Sequence, residues 1–238
     1  MDIKNLWVIM PVYNEEEALP LVLEEWRLAL DGLALPYTLC VLNDGSKDQT
    51  GTILNAYAAR YPQVLAIDKP NSGHGQTCVF GYKLALEKGA DWVFQIDSDG
   101  QCDPQFFPKA LALSATKKAV FGYRKTRDDG FKRVFISKFV RLFTLAATSE
   151  WVRDPNVPYR LMHRDVLMPI LSAIPNDFHL ANIWVSVLVN KQSRIAWIPI
   201  HFRDRSGGSP SVKTFSFVKH GFKLFRQLRA ASKLISRR

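Results

Sequence analysis

Short apolar runs alternate with longer stretches of helical character through the first half of the chain. Residues 6–12, 38–42, 64–67, 90–97 and 119–123 are brief and apolar, and most close on Asn, Asp, Gly or Ser, the pattern of buried strands bounded by turns. Residues 16–30 form an amphipathic helix that Asn14 is placed to cap, with glutamates filling its first turn. Helical stretches also follow the second and third strands, to about residues 61 and 88. Strand and helix alternating over about 125 residues, with short turns, predict a three-layer α/β/α sandwich around a mostly parallel sheet.

The pattern then changes. In residues 125–150, Lys125, Arg127, Lys132, Arg133, Lys138 and Arg141 interleave with Phe131, Phe135, Phe139 and Phe143, predicting a loop and then a basic amphipathic helix. Residues 151–190 mix strand and helix, with turns at Asp154-Pro155 and Pro158 and a helix over 180–190. A late strand, 194–202, leads into a glycine-rich, basic and mobile loop, 203–211. From 212 the tail reads as a basic amphipathic helix, with Lys219, Lys223 and Arg226 opposite Phe217, Phe225 and Leu228. That is a membrane-surface pattern; the plainer alternative is a helix docked on the body with a solvated basic face.

Composition and charge narrow this picture. A hydrophobic content of 47% in 238 residues supports a substantial core. The net charge of +10 is uneven: residues 201–238 hold ten Lys or Arg against one acid, so residues 1–200 are nearly neutral. A neutral body without a helix-turn-helix or aromatic-platform pattern argues against nucleic acid as the partner. Cys40, Cys78 and Cys102 lack metal-ligand spacing and read as reduced thiols of a cytosolic protein. The opening residues show no signal peptide, and no apolar run reaches the ~20 residues of a membrane span.

The candidate chemistry gathers at strand ends. Asp97-Ser98-Asp99-Gly100-Gln101 closes the fourth apolar run, where open α/β sheets bind their ligands. Two carboxylates and an amide oxygen suit Mg²⁺ or Mn²⁺ shared with phosphates. The same residues also read as an acidic turn before a helix capped by Asp103 and begun by Pro104. Asp44, turned by Gly45, and Tyr13 end neighbouring strands, which favours a ligand site. Gly73 and Gly75 allow close backbone approach at a helix N-terminus, although no Gly-Lys-Ser/Thr follows.

In this order, Pro11-x-Tyr13-Asn14-Glu15, Asn43-Asp44-Gly45-Ser46, Asn71-x-Gly73-x-Gly75 and Asp97-x-Asp99-x-Gln101 resemble family 2 glycosyltransferases of the GT-A fold. Gly122-Tyr123-Arg124 and Arg205-x-x-Gly208 make the polyprenyl-phosphate branch, typified by dolichol-phosphate mannosyltransferase, the most similar. The resemblance implies a catalytic domain over residues 1–212, with a nucleotide-sugar half (1–124) and an acceptor half (125–212), and a basic helical tail over 213–238. It implies that Pro11, Tyr13, Glu15, Leu42 and Asp44 hold the nucleoside, with Gly73, Gly75 and Ser98 also at the nucleotide-sugar. Asp97, Asp99 and Gln101 would hold Mg²⁺ or Mn²⁺ against the diphosphate. Arg124 and Arg205 would contact phosphates, and Arg127, Arg133 and Ser137 would meet an acceptor phosphate. His74 stands where a lysine is common, and Ser209-Pro210-Ser211 replaces a Glu-Ser-Lys.

A hydroxyl acceptor needs a general base, for which Asp177 and His179 are the candidates; a phosphate acceptor is already ionised. The expected activity is therefore inverting transfer from a UDP- or GDP-sugar to a polyprenyl phosphate, by an enzyme peripheral to the cytoplasmic face of a membrane. The alternatives are a hydroxyl-directed polysaccharide enzyme and an inactive nucleotide-sugar sensor. Oligomeric state stays open.

Overall fold

The computed structural model describes residues 3–127, 131–174, 181–207, 225 and 228–229, with backbone alone for 126, 127 and 131–136. Among them the strands are β1 (Leu6–Val12), β2 (Tyr37–Asn43), β3 (Val64–Asp68), β4 (Trp92–Ile96), β5 (Ala119–Arg127), β6 (Tyr159–His163) and β7 (Ala196–Phe202). The helices are α1 (Leu19–Asp31), α2 (Thr50–Arg60), α3 (His74–Glu87), α4 (Phe107–Ser114), α5 (Phe131–Thr148), α6 (Arg164–Leu171) and α7 (Ala181–Gln192). The strands form one sheet in the order β3-β2-β1-β4-β6-β5-β7. Only β6 runs antiparallel to its neighbours, so one mostly parallel sheet crosses both halves of the chain.

That order explains where a ligand can bind. From β1 the chain moves to β2 and β3 on one side, then crosses back to place β4 on the other. The β1–β4 gap is therefore a switch point, where the loops leaving adjacent strands diverge and open a crevice. Pairing of β1 with β4 stops at Ile9↔Gln95, whereas pairing with β2 continues to Val12↔Asn43. Val12 points its carbonyl to the β2 side, accepting from Asp44 N–H at 2.9 Å, so Pro11 turns its donor-less nitrogen to the β4 side, beyond the last pair. A proline fits inside this central strand because no partner there needs its N–H.

Beneath the crevice, Trp26 of α1, Phe94 of β4, Phe107 of α4 and Tyr159 of β6 are fully buried, with the Phe94 and Phe107 rings stacked at 4.3 Å. Tyr159 also donates its hydroxyl to the Asp103 carbonyl at 3.2 Å, fixing the far end of the acid turn to this core. α3, α6 and α7 cover the opposite face of the sheet.

Several expectations shift. α1 starts at Leu19 rather than 16, and Asn14 does not cap it. Asn14 takes a left-handed φ of 52° and its side chain accepts the Lys47 N–H at 2.8 Å. Glu15 N–H donates to Thr50 Oγ1 and Glu16 N–H to Asp48, so residues 14–16 are fastened to the 46–50 turn instead of winding into helix. β5 runs on to Arg127 because β7 pairs alongside it, with a register shift between Arg124 and Thr126. The expected tail helix and residues 208–211 lie almost wholly outside the described residues. Of the tail's apolar residues, Phe225 meets Phe143 of α5 edge-on at 5.3 Å and Leu228 is fully buried, so these two are docked on the body rather than presented outward.

Candidate active site

Parallel strands deliver their carboxyl ends to one edge, and there the structure gathers Glu15 after β1, Asp44 after β2, Asp97 and Asp99 after β4, and Arg205 after β7. The Glu15 side chain is almost completely buried and pairs with the Arg205 guanidinium, which reaches Asp99 Oδ2 at 3.5 Å through Nη1. Burial pushes the Glu15 carboxyl up to about 7; Arg205 opposes the rise, while the charges of Asp99 and Asp97 add to it. Burial and then the Asp97 charge lift Asp99 to about 6, against the Gln101 N–H and Arg205. Glu15 and Asp99 thus share the Arg205 guanidinium while Asp97 pairs with His74, so three carboxylates face two basic side chains and the crevice keeps an excess of negative charge.

Asp97 accepts from His74 Nε2 at 2.7 Å and, more weakly, from Gln95 Nε2 at 3.4 Å, both at Oδ1. Asn182 of α7 meets the other imidazole nitrogen, Nδ1, at 3.0 Å. Asp44 is buried, and burial alone would raise its pKa. Lys69 Nζ at 2.5 Å and the Ser72 N–H at 2.9 Å outweigh that and hold it below its ordinary value. Gly73 N–H donates to its second oxygen, also at 2.9 Å, from a left-handed φ of 84°. Asp44 thereby organises the 69–73 loop at the entrance to α3, beside the crevice.

The described part of the loop after β7, residues 203–207, is bonded over the acid turn. Arg203 makes a two-pronged bond to Glu25 of α1, 2.7 Å on each side, and donates to the Gly100 carbonyl at 3.1 Å. Ser206 N–H donates to the Asp99 carbonyl at 3.0 Å. Gly100 has a φ of 78°, and a Cβ there would stand 2.0 Å from Ser206 Oγ, so only glycine lets the loop lie this close.

Two residues expected at the ligand also bond within the fold. Gln101 is buried and its side-chain amide donates to the Arg203 carbonyl at 2.9 Å, tying the turn to the loop. Arg124 is gripped by Asp154 through Nε at 2.8 Å and Nη2 at 2.5 Å, beside the Phe202 ring. Pro11 and Leu42 lie at adjacent strand ends, and Tyr13 and Ser98 in the turns that follow. Gly75 lies in the first turn of α3, and Ser137 in α5. Arg127 ends β5 at the ligand edge and Arg133 lies near the start of α5; their side chains, like Asp177 and His179, lie outside what is described. Lys69, Asp154, Asn182 and Glu25 escaped the sequence reading. Lys69 alone had a signal, its place directly after a strand at the ligand edge; the others meet the site only through tertiary packing.

The profile described as Glycosyl transferase family 2 matches residues 7–171. An undecaprenyl-phosphate 4-deoxy-4-formamido-L-arabinose transferase of Pectobacterium carotovorum is 27% identical over 92% of this chain and 64% of its own length. The Yersinia enterocolitica protein of the same name is 26% identical over 91% and 65%. The chain thus spans slightly less than two thirds of these relatives. Among solved structures, glucosyl-3-phosphoglycerate synthase of Mycobacterium tuberculosis, in complex with Mn²⁺, UDP-glucose and phosphoglyceric acid, superposes with a TM-score of 0.67 at 19% identity, covering 97% of this chain and 80% of that one. The likeness establishes the GT-A fold. The profile match runs from the second residue of β1 through β6 and takes in both acidic turns, and on that evidence the chain belongs to glycosyl transferase family 2.

Proposed function

We propose that this enzyme transfers a sugar from a nucleotide-diphosphate sugar to the phosphate of a polyprenyl phosphate at a membrane surface, with inversion at the anomeric carbon. The observation that carries the donor half is the under-neutralised acidic crevice at the β1–β4 switch point, with Asp97 and Asp99 on one wall and Glu15 and Arg205 on the other. Two carboxylates two residues apart at one strand end, with Asp99 raised in proton affinity by burial and by the Asp97 charge, are a fit for a hard divalent cation, Mg²⁺ or Mn²⁺. When bound, such a cation neutralises charge developing on the departing diphosphate. Asp97 and Asp99 are the proposed ligands. Gln101 stands with them as a proposed ligand through its Oε1, since it is Nε2 that donates to the Arg203 carbonyl.

The chain's own residues do the rest. Asp44, with Lys69, fixes the 69–73 loop; Pro11, Tyr13 and Leu42 line the nucleoside end. Arg205 stands over Asp99, placed to move from the carboxylates to the diphosphate when the donor enters. An acceptor phosphate oxygen attacks the anomeric carbon as the bond from that carbon to the diphosphate oxygen breaks, so no proton needs removing. Arg127, Arg133 and Ser137 follow the ligand edge into α5 and are the proposed acceptor contacts. α5 also exposes Phe139 (63%) and Leu142 (60%), apolar side chains suited to a lipid surface. The names of the Pectobacterium and Yersinia relatives support a polyprenyl-phosphate acceptor.

A thermal-shift screen of UDP- and GDP-sugars with Mn²⁺, followed by transfer to undecaprenyl phosphate in detergent, tests this reading. The expected results are a Mn²⁺-dependent rise in Tm with one donor class and a lipid-phosphate-linked product. No stabilisation by any donor would remove the donor assignment, and donor binding with transfer only to sugar hydroxyls would remove the acceptor assignment.

A further inference from the structure

Arg160, at the second position of β6, has no accessible surface. Among the described residues no carboxylate pairs with it; Nη2 donates to the Pro155 carbonyl at 3.1 Å, while Nε and Nη1 are buried without a partner. The Phe121 ring lies 5.7 Å from the guanidinium carbon. A buried, unpaired guanidinium is costly, and an apolar side chain of similar volume would be the more stable choice at such a position. Packing alone therefore does not account for it.

Its surroundings lead to the acid turn. Arg160 is directly opposite Gln95 in the antiparallel β4–β6 register, which puts both side chains on the same face of the sheet. On that face the Tyr82 hydroxyl of α3 lies beside Arg160 and donates to Gln95 Oε1 at 2.9 Å; Gln95 Nε2 in turn reaches Asp97 Oδ1. A second route starts at the Pro155 carbonyl, which Arg160 shares with Ser186 Oγ at 2.8 Å. Ser186 also bonds the Asn182 carbonyl at 3.1 Å, Asn182 meets His74, and His74 meets the same Asp97 oxygen. Both polar chains converge on Asp97 Oδ1.

We propose that Arg160 is a positioning residue of the donor site: its buried guanidinium anchors the Tyr82–Gln95 and Ser186–Asn182–His74 chains, and these hold the Asp97 carboxylate in one orientation with its second oxygen directed to the ligand. The inference rests on the assignment of Asp97 as a metal ligand above. It gives physical purpose to a run of polar residues (Tyr82, Gln95, Arg160, Ser186) lying inside an otherwise apolar layer. Such outer-shell partners change metal affinity or activity by about 10- to 100-fold when removed.

The test uses Arg160→Met, Arg160→Lys and Tyr82→Phe in the full chain. Mn²⁺ affinity is titrated by the loss of the free-ion electron paramagnetic resonance signal, in saturating UDP or GDP, whichever stabilises the wild type. Apo Tm is measured alongside. The expected result is Mn²⁺ affinity about 10- to 100-fold weaker in Arg160→Met, a smaller loss in Tyr82→Phe, partial recovery in Arg160→Lys, and an apo Tm for Arg160→Met no lower than wild type. The direction is diagnostic. Removing a positive charge strengthens cation binding by Coulomb's law alone, so weaker binding reports lost orientation. Unchanged or tighter Mn²⁺ binding in Arg160→Met would overturn the proposal. So would a large fall in Tm with Lys no better than Met, which marks a packing role. A wild type that binds no Mn²⁺ removes the donor-site assignment itself, whereas a binding wild type with an indifferent Arg160→Met removes this inference alone.

Discussion

Glu15→Gln tests the electrostatics of the crevice through stability alone, without any ligand. In the fold the Glu15 carboxyl titrates at about 7 rather than 4.5, with burial as the largest cause. At about 1.4 kcal/mol per tenfold change in proton affinity, that gap amounts to about 3 kcal/mol. The sign follows from proton linkage. The native state binds this proton more tightly than the unfolded chain, so the contribution is fully present below pH 4.5 and is lost as pH rises through about 7. Wild type is therefore expected to lose about 3 kcal/mol against Glu15→Gln between pH 4.5 and 7.5, a divergence of roughly 6–12 °C in Tm for a chain of this size. Urea unfolding of both proteins at half-unit steps of pH measures it directly, since Asp99 contributes in the same direction to each. Should wild type instead gain on the variant as pH rises, Glu15 is an ordinary stabilising partner of Arg205, and the picture of an under-neutralised crevice is wrong.

Three further outcomes follow from the same contacts. Lys69→Met leaves Asp44 buried without its cation, and the fold should lose about 3 kcal/mol in urea unfolding at neutral pH; wild-type stability should itself fall away as pH drops below Asp44's ordinary 3.8, because its folded pKa lies lower still. Gly100→Ala meets Ser206 Oγ and an unfavourable φ, so loop 203–207 should lift at a cost of roughly 1–3 kcal/mol, read as faster trypsin cleavage after Arg203 and Arg205; an unchanged cleavage rate refutes the close packing. Stabilisation by Mn²⁺ should weaken as pH falls through about 6, where the Asp99 proton competes with the cation; a pH-independent Tm shift would place the metal elsewhere.

The fold was legible because its signals are local. Apolar runs at β1, β2 and β4 are bounded by turn residues, and the acids at their ends mark the ligand edge without any knowledge of pairing. What the sequence concealed depends on who meets whom across large separations. Arg124 and Gln101 look alike as ligands on paper. In the fold Arg124 also bonds Asp154, and Gln101 Nε2 the Arg203 carbonyl, partners 30 and 102 positions away. Asn14 has the composition of a helix cap, yet Ser46 and Lys47 claim its backbone and side chain, and the helix starts later. At Asn14 a short-range propensity lost to a tertiary hydrogen bond.

The same competition explains why Arg205 occupies the crevice. Glu15 and Asp99 are held by β1 and β4 through backbone and core contacts that do not depend on ligand, so their charges stay close whether or not a cation is present. An arginine on the loop after β7 relieves part of that repulsion, and Arg203, bonded to Glu25 and Gly100, limits how far the loop can travel. On the proposed function, a donor arriving with a cation would shift this balance: Asp97 and Asp99 would hold the cation, and Arg205 would have the diphosphate within its reach. Residues 203–207 would then need only an exchange of partners at Arg205 to meet the donor, and the anchoring of Arg203 to Glu25 and Gly100 would keep that exchange local.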